Sequence, residues 1–290
     1  MSDKVLPNQL LPGDVLLYHG TGFISDMIRL FDGSEYSHAA LFNGQKVVEA
    51  IGSGITARPL TESIVGAKYV DVYRFISGDG QHKLGDAGYA DQPILDTAAQ
   101  FVAKAERYAY EQIILLAALA GTRRIPVVSD IPFLRWMLRN ILDNAADVLN
   151  KIIAAGKEPM ICSELVYRCY TESGPQYDLI ICGADTLAMR ARSIPPMGVS
   201  AGTLATAAGQ SHDATAIQAE LDIFMAKYAL AKHRGRSPAN AKAGKPKNKR
   251  GSGLAATASD GTTALAVADF VTPRDLRDSP DLYKIGTLLA

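Results

Sequence analysis

Two rhythms of apolar and polar positions alternate along the first part of the chain. After the turn Leu11-Pro12-Gly13-Asp14, the run Val15-Leu16-Leu17-Tyr18 is continuously apolar and reads as a short buried strand. Gly20 and Gly22 break it. From residue 23 the spacing becomes helical, with Phe23, Ile24, Met27, Ile28 and Phe31 on one stripe that stops at Asp32-Gly33. From Ser37 the pattern is strand-like again: HAALF, a turn at Asn43-Gly44, KVVEA, a break at Gly52-Ser53-Gly54, then ITARPL. Residues 69–75, YVDVYRF, add a further alternating strand. These segments predict a small antiparallel sheet.

Residues 78–92 are polar and glycine-rich and read as a loop before a long helical stretch over 94–119. A second amphipathic stretch covers 132–155, with Phe133, Leu134, Met137, Leu138, Ile141, Leu142, Ala145, Val148, Leu149 and Ile152 on one broad face. Pro159 then precedes Met160-Ile161-Cys162-Ser163-Glu164-Leu165, a run that predicts a helix opening near the cysteine. Between 232 and 259 the chain is rich in Lys, Arg, Gly, Ala, Ser and Pro and nearly free of large apolar residues. That is the composition of a solvated linker, or of a basic arm that touches nucleic acid or lipid. The expected organisation is a catalytic domain over 1–231, a basic insertion or linker over 232–259, and a segment over 260–290 that folds back onto the first.

Composition narrows the function classes. The 290 residues are 48% hydrophobic and 21% charged, ordinary for a folded protein, with 30 basic and 30 acidic side chains. A net charge of zero supplies no global field toward nucleic acid or an anionic membrane, so no specific nucleic-acid partner is expected. Three cysteines make no disulfide framework and, with no histidine at ligand spacing, no zinc site; no metal or cofactor is expected. The first residues lack the apolar region of a cleaved signal peptide, and the most apolar run, 113–120, is too short to cross a bilayer. A cytoplasmic protein is expected, or one exported without a cleaved signal.

The remaining chemistry centres on Cys162. Near neutral pH a thiol is the best ordinary nucleophile when a neighbour or a helix N-terminus favours its thiolate. A place in the first helical turn would supply free N–H groups for a thiolate or an oxyanion. Position alone does not separate that role from a packed structural cysteine. Cys169, two turns further on, reads as core, and Cys182 as a packed strand-end or turn residue. Of the five histidines, His38 opens a strand beside the small Ala39 and Ala40, with His19 as a second candidate base; His82, His212 and His233 lie in polar, loop-like surroundings. Glu49 is a lone charge among Val47, Val48 and Ala50, and closure of the turn at Asn43-Gly44 would bring it near His38. The alternative is an exposed edge-strand glutamate.

The runs LPGDVLLYHG, YSHAALF with VVEA, and MICSELVYRCY together resemble the circularly permuted branch of the NlpC/P60 superfamily, the YiiX-like papain-fold hydrolases. In that family the histidine strand precedes the nucleophile helix, and the order His38, Glu49, Cys162 matches. The closing VTPRDLRDSP is also similar. The resemblance implies an α+β, permuted papain-like fold and a thiol hydrolase or acyltransferase, in which His38 deprotonates Cys162, Glu49 orients His38, and the Cys162 N–H holds the oxyanion with Tyr18 as a candidate second donor. Its expected substrates are amides, including peptides and peptidoglycan fragments, or acyl esters of lipids. In the lipid case the amphipathic stretch over 132–155 would serve as a lid for the acyl chain. The sequence leaves the oligomeric state open.

Overall fold

The computed structural model describes residues 3–52, 54–103, 107–109, 112–122, 132–182, 214–235 and 267–288. They form an α+β fold, a seven-stranded mixed sheet with helices packed on it, consistent with a papain-like architecture. The strands are β1 (Lys4–Val5), β2 (Val15–Gly20), β3 (His38–Phe42), β4 (Val47–Ile51), β5 (Gly54–Arg58), β6 (Ala67–Phe75) and, after a separate two-stranded pair, β9 (Leu282–Leu288). Their order across the sheet is β1-β9-β6-β2-β3-β4-β5. All neighbours are antiparallel except β1 and β9, which run parallel.

Alternation decides which side chain faces which layer. Val15 and Leu17 of β2, Ala39 and Leu41 of β3 and Val48 and Ala50 of β4 join the main core beneath the helices. Leu16, Tyr18, Ala40, Phe42 and Val47 belong to a second apolar cluster with Val70, Val72 and Leu288. The turn joining β3 to β4 is set by Asn43, whose side-chain oxygen accepts from the Gln45 and Lys46 backbone N–H groups, and by Gly44 at φ 93°. That turn locks Ala40 opposite Glu49 and Phe42 opposite Val47. A one-residue slip would exchange the two faces.

The helices are α1 (Phe23–Asp32), α2 (Leu60–Ser63), α3 (Gln92–Ala103), α4 (Gln112–Thr122), α5 (Pro132–Ala154), α6 (Cys162–Thr171), α7 (Ala214–Gly235) and α8 (Pro273–Arg277). The long helix expected over 94–119 is divided. Residues Arg107–Ala109 form β7, paired in parallel with β8 (Glu158–Met160), so a tertiary pairing overrides the local helical pattern there. On α5, Met137, Leu138, Ile141, Leu142, Ala145, Leu149 and Ile152 are all buried in the main core, against α4 and α7. That helix is packing material, as its stripe requires.

Two findings concern the later part of the chain. Helix α7 runs through Gly235, past the expected start of the linker at 232, and Lys232 is only 1% exposed. Polar composition suggested solvent there, but buried carboxylates, described below, hold that lysine. Residues 236–266, which include most of the expected linker, lie outside the described residues. After them, β9 inserts between β1 and β6, and the Arg274 backbone N–H at the start of α8 donates to Asp32 Oδ2 at 2.9 Å. The closing segment is therefore an interior strand of the same sheet. No described helix is long and apolar enough to cross a membrane.

Candidate active site

Each residue of Tyr36-Ser37-His38, the entry into β3, is anchored by its side chain. The Tyr36 hydroxyl donates to Asp71 Oδ2 at 2.6 Å, and Ser37 Oγ accepts from the Gly20 backbone N–H at 3.2 Å. The Ser37 N–H donates to the Tyr18 carbonyl at 2.9 Å, which sets the first rung of the ladder with β2. His38 is then the first residue of its strand. Its Nε2–H donates to Glu49 Oε2 at 2.9 Å.

The register explains that bond. Because Ala40 faces Glu49, His38 lies diagonal to Glu49 on the same face of the sheet, within reach of an imidazole and a carboxylate. Glu49 is 1% exposed, so it is not a surface strand residue. Its second oxygen is also occupied: Arg58 places Nε at 2.8 Å and Nη2 at 2.7 Å from Oε1. Arg58 stands diagonal to Glu49 on the other side, since Glu49 faces Thr56 and Val47 faces Arg58. His38, Glu49 and Arg58 thus form an oblique row across three strands.

Cys162 meets this row from the helix layer. It is the first residue of α6, which follows the extended Ile161 and packs across β3 and β4. The thiol and His38 interact directly, each favouring the charged form of the other, and because His38 Nε2 is committed to Glu49, Nδ1 is the ring nitrogen left for the sulfur. Backbone N–H groups of Ala39 and Ser163 also donate to the sulfur. Burial alone would favour a neutral thiol. The charge of His38, its hydrogen bond and those two N–H groups outweigh burial and hold Cys162 below the ordinary thiol range.

The other two groups respond in the same sense. Burial favours a neutral ring, yet attraction and hydrogen bonding from Cys162 and then from Glu49 push His38 up to about 10. Burial would raise Glu49, but His38 and Arg58 keep it below the usual carboxylate range. The four groups carry alternating charge, from guanidinium to carboxylate to imidazolium to thiolate. Such an arrangement favours the ionised nucleophile.

Tyr18 sits opposite His38 in the β2–β3 ladder, its ring edge-on to the imidazole at 5.1 Å between centroids. Its hydroxyl is 2.7 Å from Ser63 Oγ, at the end of α2, and burial, followed by the charge of Glu49, raises its pKa well above the ordinary phenol range. The hydroxyl stays protonated and is committed to Ser63. His19 is stacked on Tyr69 at 4.7 Å and does not join the cysteine. Cys169 is fully buried, whereas Cys182 is exposed in a turn rather than packed, its thiol 3.4 Å from the Asp278 carbonyl.

Behind the nucleophile, α6 is held by buried charge. Glu164 accepts from Arg168 Nε at 2.7 Å and from Lys232 Nζ at 2.5 Å, and Arg168 Nη2 reaches Asp269 Oδ1 at 3.0 Å. Ser163 Oγ donates to the Val271 carbonyl at 2.6 Å. The helix that carries the thiol is thereby tied both to α7 and to the segment leading into α8. Arg58, the Ala39 and Ser163 amides and Lys232 were not singled out by the sequence pattern. For Arg58 the signal was its place two residues beyond the rung opposite Glu49, which is readable only once the second hairpin's register is known.

No family model matches the sequence, and no curated protein matches it. Among solved structures, the chain is similar to the crystal structure of the metalloprotein YiiX from Escherichia coli O157:H7 (DUF1105), at 14% identity and a TM-score of 0.41, over 96% of this chain and 98% of that one. Among the described residues of this chain, no group of three His, Cys, Asp or Glu side chains is placed to hold a metal ion. The functional reading therefore rests on the geometry of the site itself.

Proposed function

We propose that the protein is a cysteine hydrolase of the permuted papain-like, NlpC/P60 type, cleaving an amide bond such as that of a peptide or a peptidoglycan fragment. The observation that carries this reading is the convergence of Cys162 on His38, which is itself bonded to the buried Glu49. The order of the three along the sequence is that of the permuted family which the motifs resemble. In the reaction, the Cys162 thiolate attacks the carbonyl carbon and a C–S bond forms. The oxyanion is met by the backbone N–H of Cys162 at the helix start. As the tetrahedral species collapses, the C–N bond breaks and the Nδ1 proton of His38 passes to the departing amine. A water molecule, deprotonated by the now neutral ring, then attacks the thioester and returns the free thiol. Glu49 holds Nε2–H throughout, which fixes the tautomer and stabilises the imidazolium.

The lipid alternative would use α5 as a lid over an acyl chain. The burial of the α5 apolar face in the core removes the feature that favoured it. Amide cleavage is accordingly the preferred reading. Intact-mass measurement after incubation with peptidoglycan fragments and, in parallel, phospholipids tests both. An adduct on Cys162 from the peptide fragments is expected, with none in Cys162→Ala. An adduct only from phospholipid would move the assignment to acyl transfer on lipids, and turnover undiminished in Cys162→Ala would end the thiol mechanism.

A further inference from the structure

Arg58 contributes to the site from a strand that carries none of the three residues assigned above. Its guanidinium lies against a single oxygen of Glu49, with Nε at 2.8 Å and Nη2 at 2.7 Å, while the other oxygen serves His38 at 2.9 Å. A carboxylate that is 1% exposed cannot turn toward water for compensation, so its two protein partners determine both its orientation and its charge balance. We propose that Arg58 is a positioning residue for catalysis that acts on His38 through Glu49: its charge, set against Glu49 Oε1, limits how tightly the carboxylate retains the imidazolium proton. This rests on the catalytic reading of Cys162 and His38.

The physical reasoning follows the alternating row of charges. A carboxylate with no second partner would bind the imidazolium strongly through Nε2–H and make Nδ1–H a poorer acid. Nδ1–H is the proton that the leaving amine needs. A cation on the far side of the carboxylate partly cancels its field at the ring, so the imidazolium forms and yet gives its proton up. The groups facing this pair come from every strand around it: Tyr18 from β2, Glu49 from β4, Arg58 from β5, and Cys162 from α6. Of these, Tyr18 stays protonated and Cys162 can be removed by substitution. Arg58 is then the one cation among the named groups whose loss changes the field at His38.

The test uses the full chain with Cys162→Ala, which takes the coupled thiol out of the titration, and carbon-13-labelled histidine for NMR; the His38 signal is assigned by comparison with His38→Gln. Circular dichroism establishes that each variant is folded. Adding Arg58→Gln is expected to raise the His38 pKa by about 0.5 to 1.5 units, the range for loss of one partly screened charge at this separation. Arg58→Lys, which keeps the charge, is expected to restore it to most of its original value. No shift in Arg58→Gln, a downward shift, or an equal rise in Arg58→Lys would overturn the proposal. Failure of the catalytic reading would show separately, as an ordinary thiol pKa for Cys162 in alkylation of the otherwise unaltered protein.

Discussion

Three side chains and two amides decide the chemistry of Cys162, and pH separates their contributions. As pH falls, the thiolate is protonated only below the ordinary thiol range, so iodoacetamide should still label Cys162 where a free thiol is inert. As pH rises through about 10, His38 loses its proton and the leaving group loses its acid, so turnover should fall on that side. In His38→Ala the labelling profile of Cys162 should move upward toward an ordinary thiol. Peptide mapping distinguishes it from the exposed Cys182. Glu49→Gln should keep the fold and most of the thiol's accessibility while lowering turnover by roughly one to several orders of magnitude, as loss of the orienting carboxylate does in other triads. Unchanged turnover and an unchanged labelling profile together would remove Glu49 from the mechanism. His38 and Glu49 were legible in the sequence because each breaks its local pattern, one opening an apolar strand and the other interrupting one. Arg58 was not, since a basic residue near the end of a half-buried strand is common.

At the scale of elements, α6 is the part on which the site depends. It presents the thiol at its first residue and is fastened from behind by Glu164, Arg168, Lys232 and Asp269. A buried ion pair is weak grounds for net stability, but removing one partner strands the other. Lys232→Ala should therefore destabilise the protein, near the low end of the roughly 3–5 kcal/mol typical of a broken buried pair, because Arg168 still holds Glu164. Urea denaturation measures it, and a change below about 0.5 kcal/mol, the range of an ordinary surface substitution, would show the pair to be dispensable. Cys169→Ala, in the same helix and fully buried, should cost stability more than activity. The opening of a helix near Cys162 was visible in advance. The lysine that anchors it was read as part of a polar linker, because composition averages over a window and cannot register one buried charge.

Across the whole molecule, distant stretches of sequence close a single sheet. Strand β9, near the end of the chain, lies between β1 and β6, so its loss would expose the long edge of β6, detach the short β1 and uncover the apolar cluster they share. Truncation after residue 280 should leave no cooperative unfolding transition, whereas a merely peripheral tail would leave the melt unchanged. The basic stretch offers a sharper comparison. It is nearly free of large apolar residues and carries none of the side chains assigned to the site, so deleting 240–259 should spare turnover on a small soluble substrate. Extending the deletion back through 232 removes one of the two partners named for Glu164 and should destabilise the fold. Loss of turnover with the shorter deletion would instead make that stretch part of the site.

What the sequence determined by itself was local: the strands from 15 to 75, the helix stripes of α1 and α5, a helix opening near Cys162, and a cysteine, a histidine and a carboxylate as candidates for one site. Periodicity and turn chemistry encode these, because they depend on neighbours a few residues apart. The tertiary structure alone decided the rest. It split the helix expected over 94–119 by pairing β7 with β8, buried the α5 face that a lipid lid would have needed, and carried β9 into the sheet. It also set Arg58 behind Glu49 and Lys232 behind Glu164. Those are contacts between residues far apart in the chain or across a strand register, and their energies come from burial and charge pairing that no local window contains.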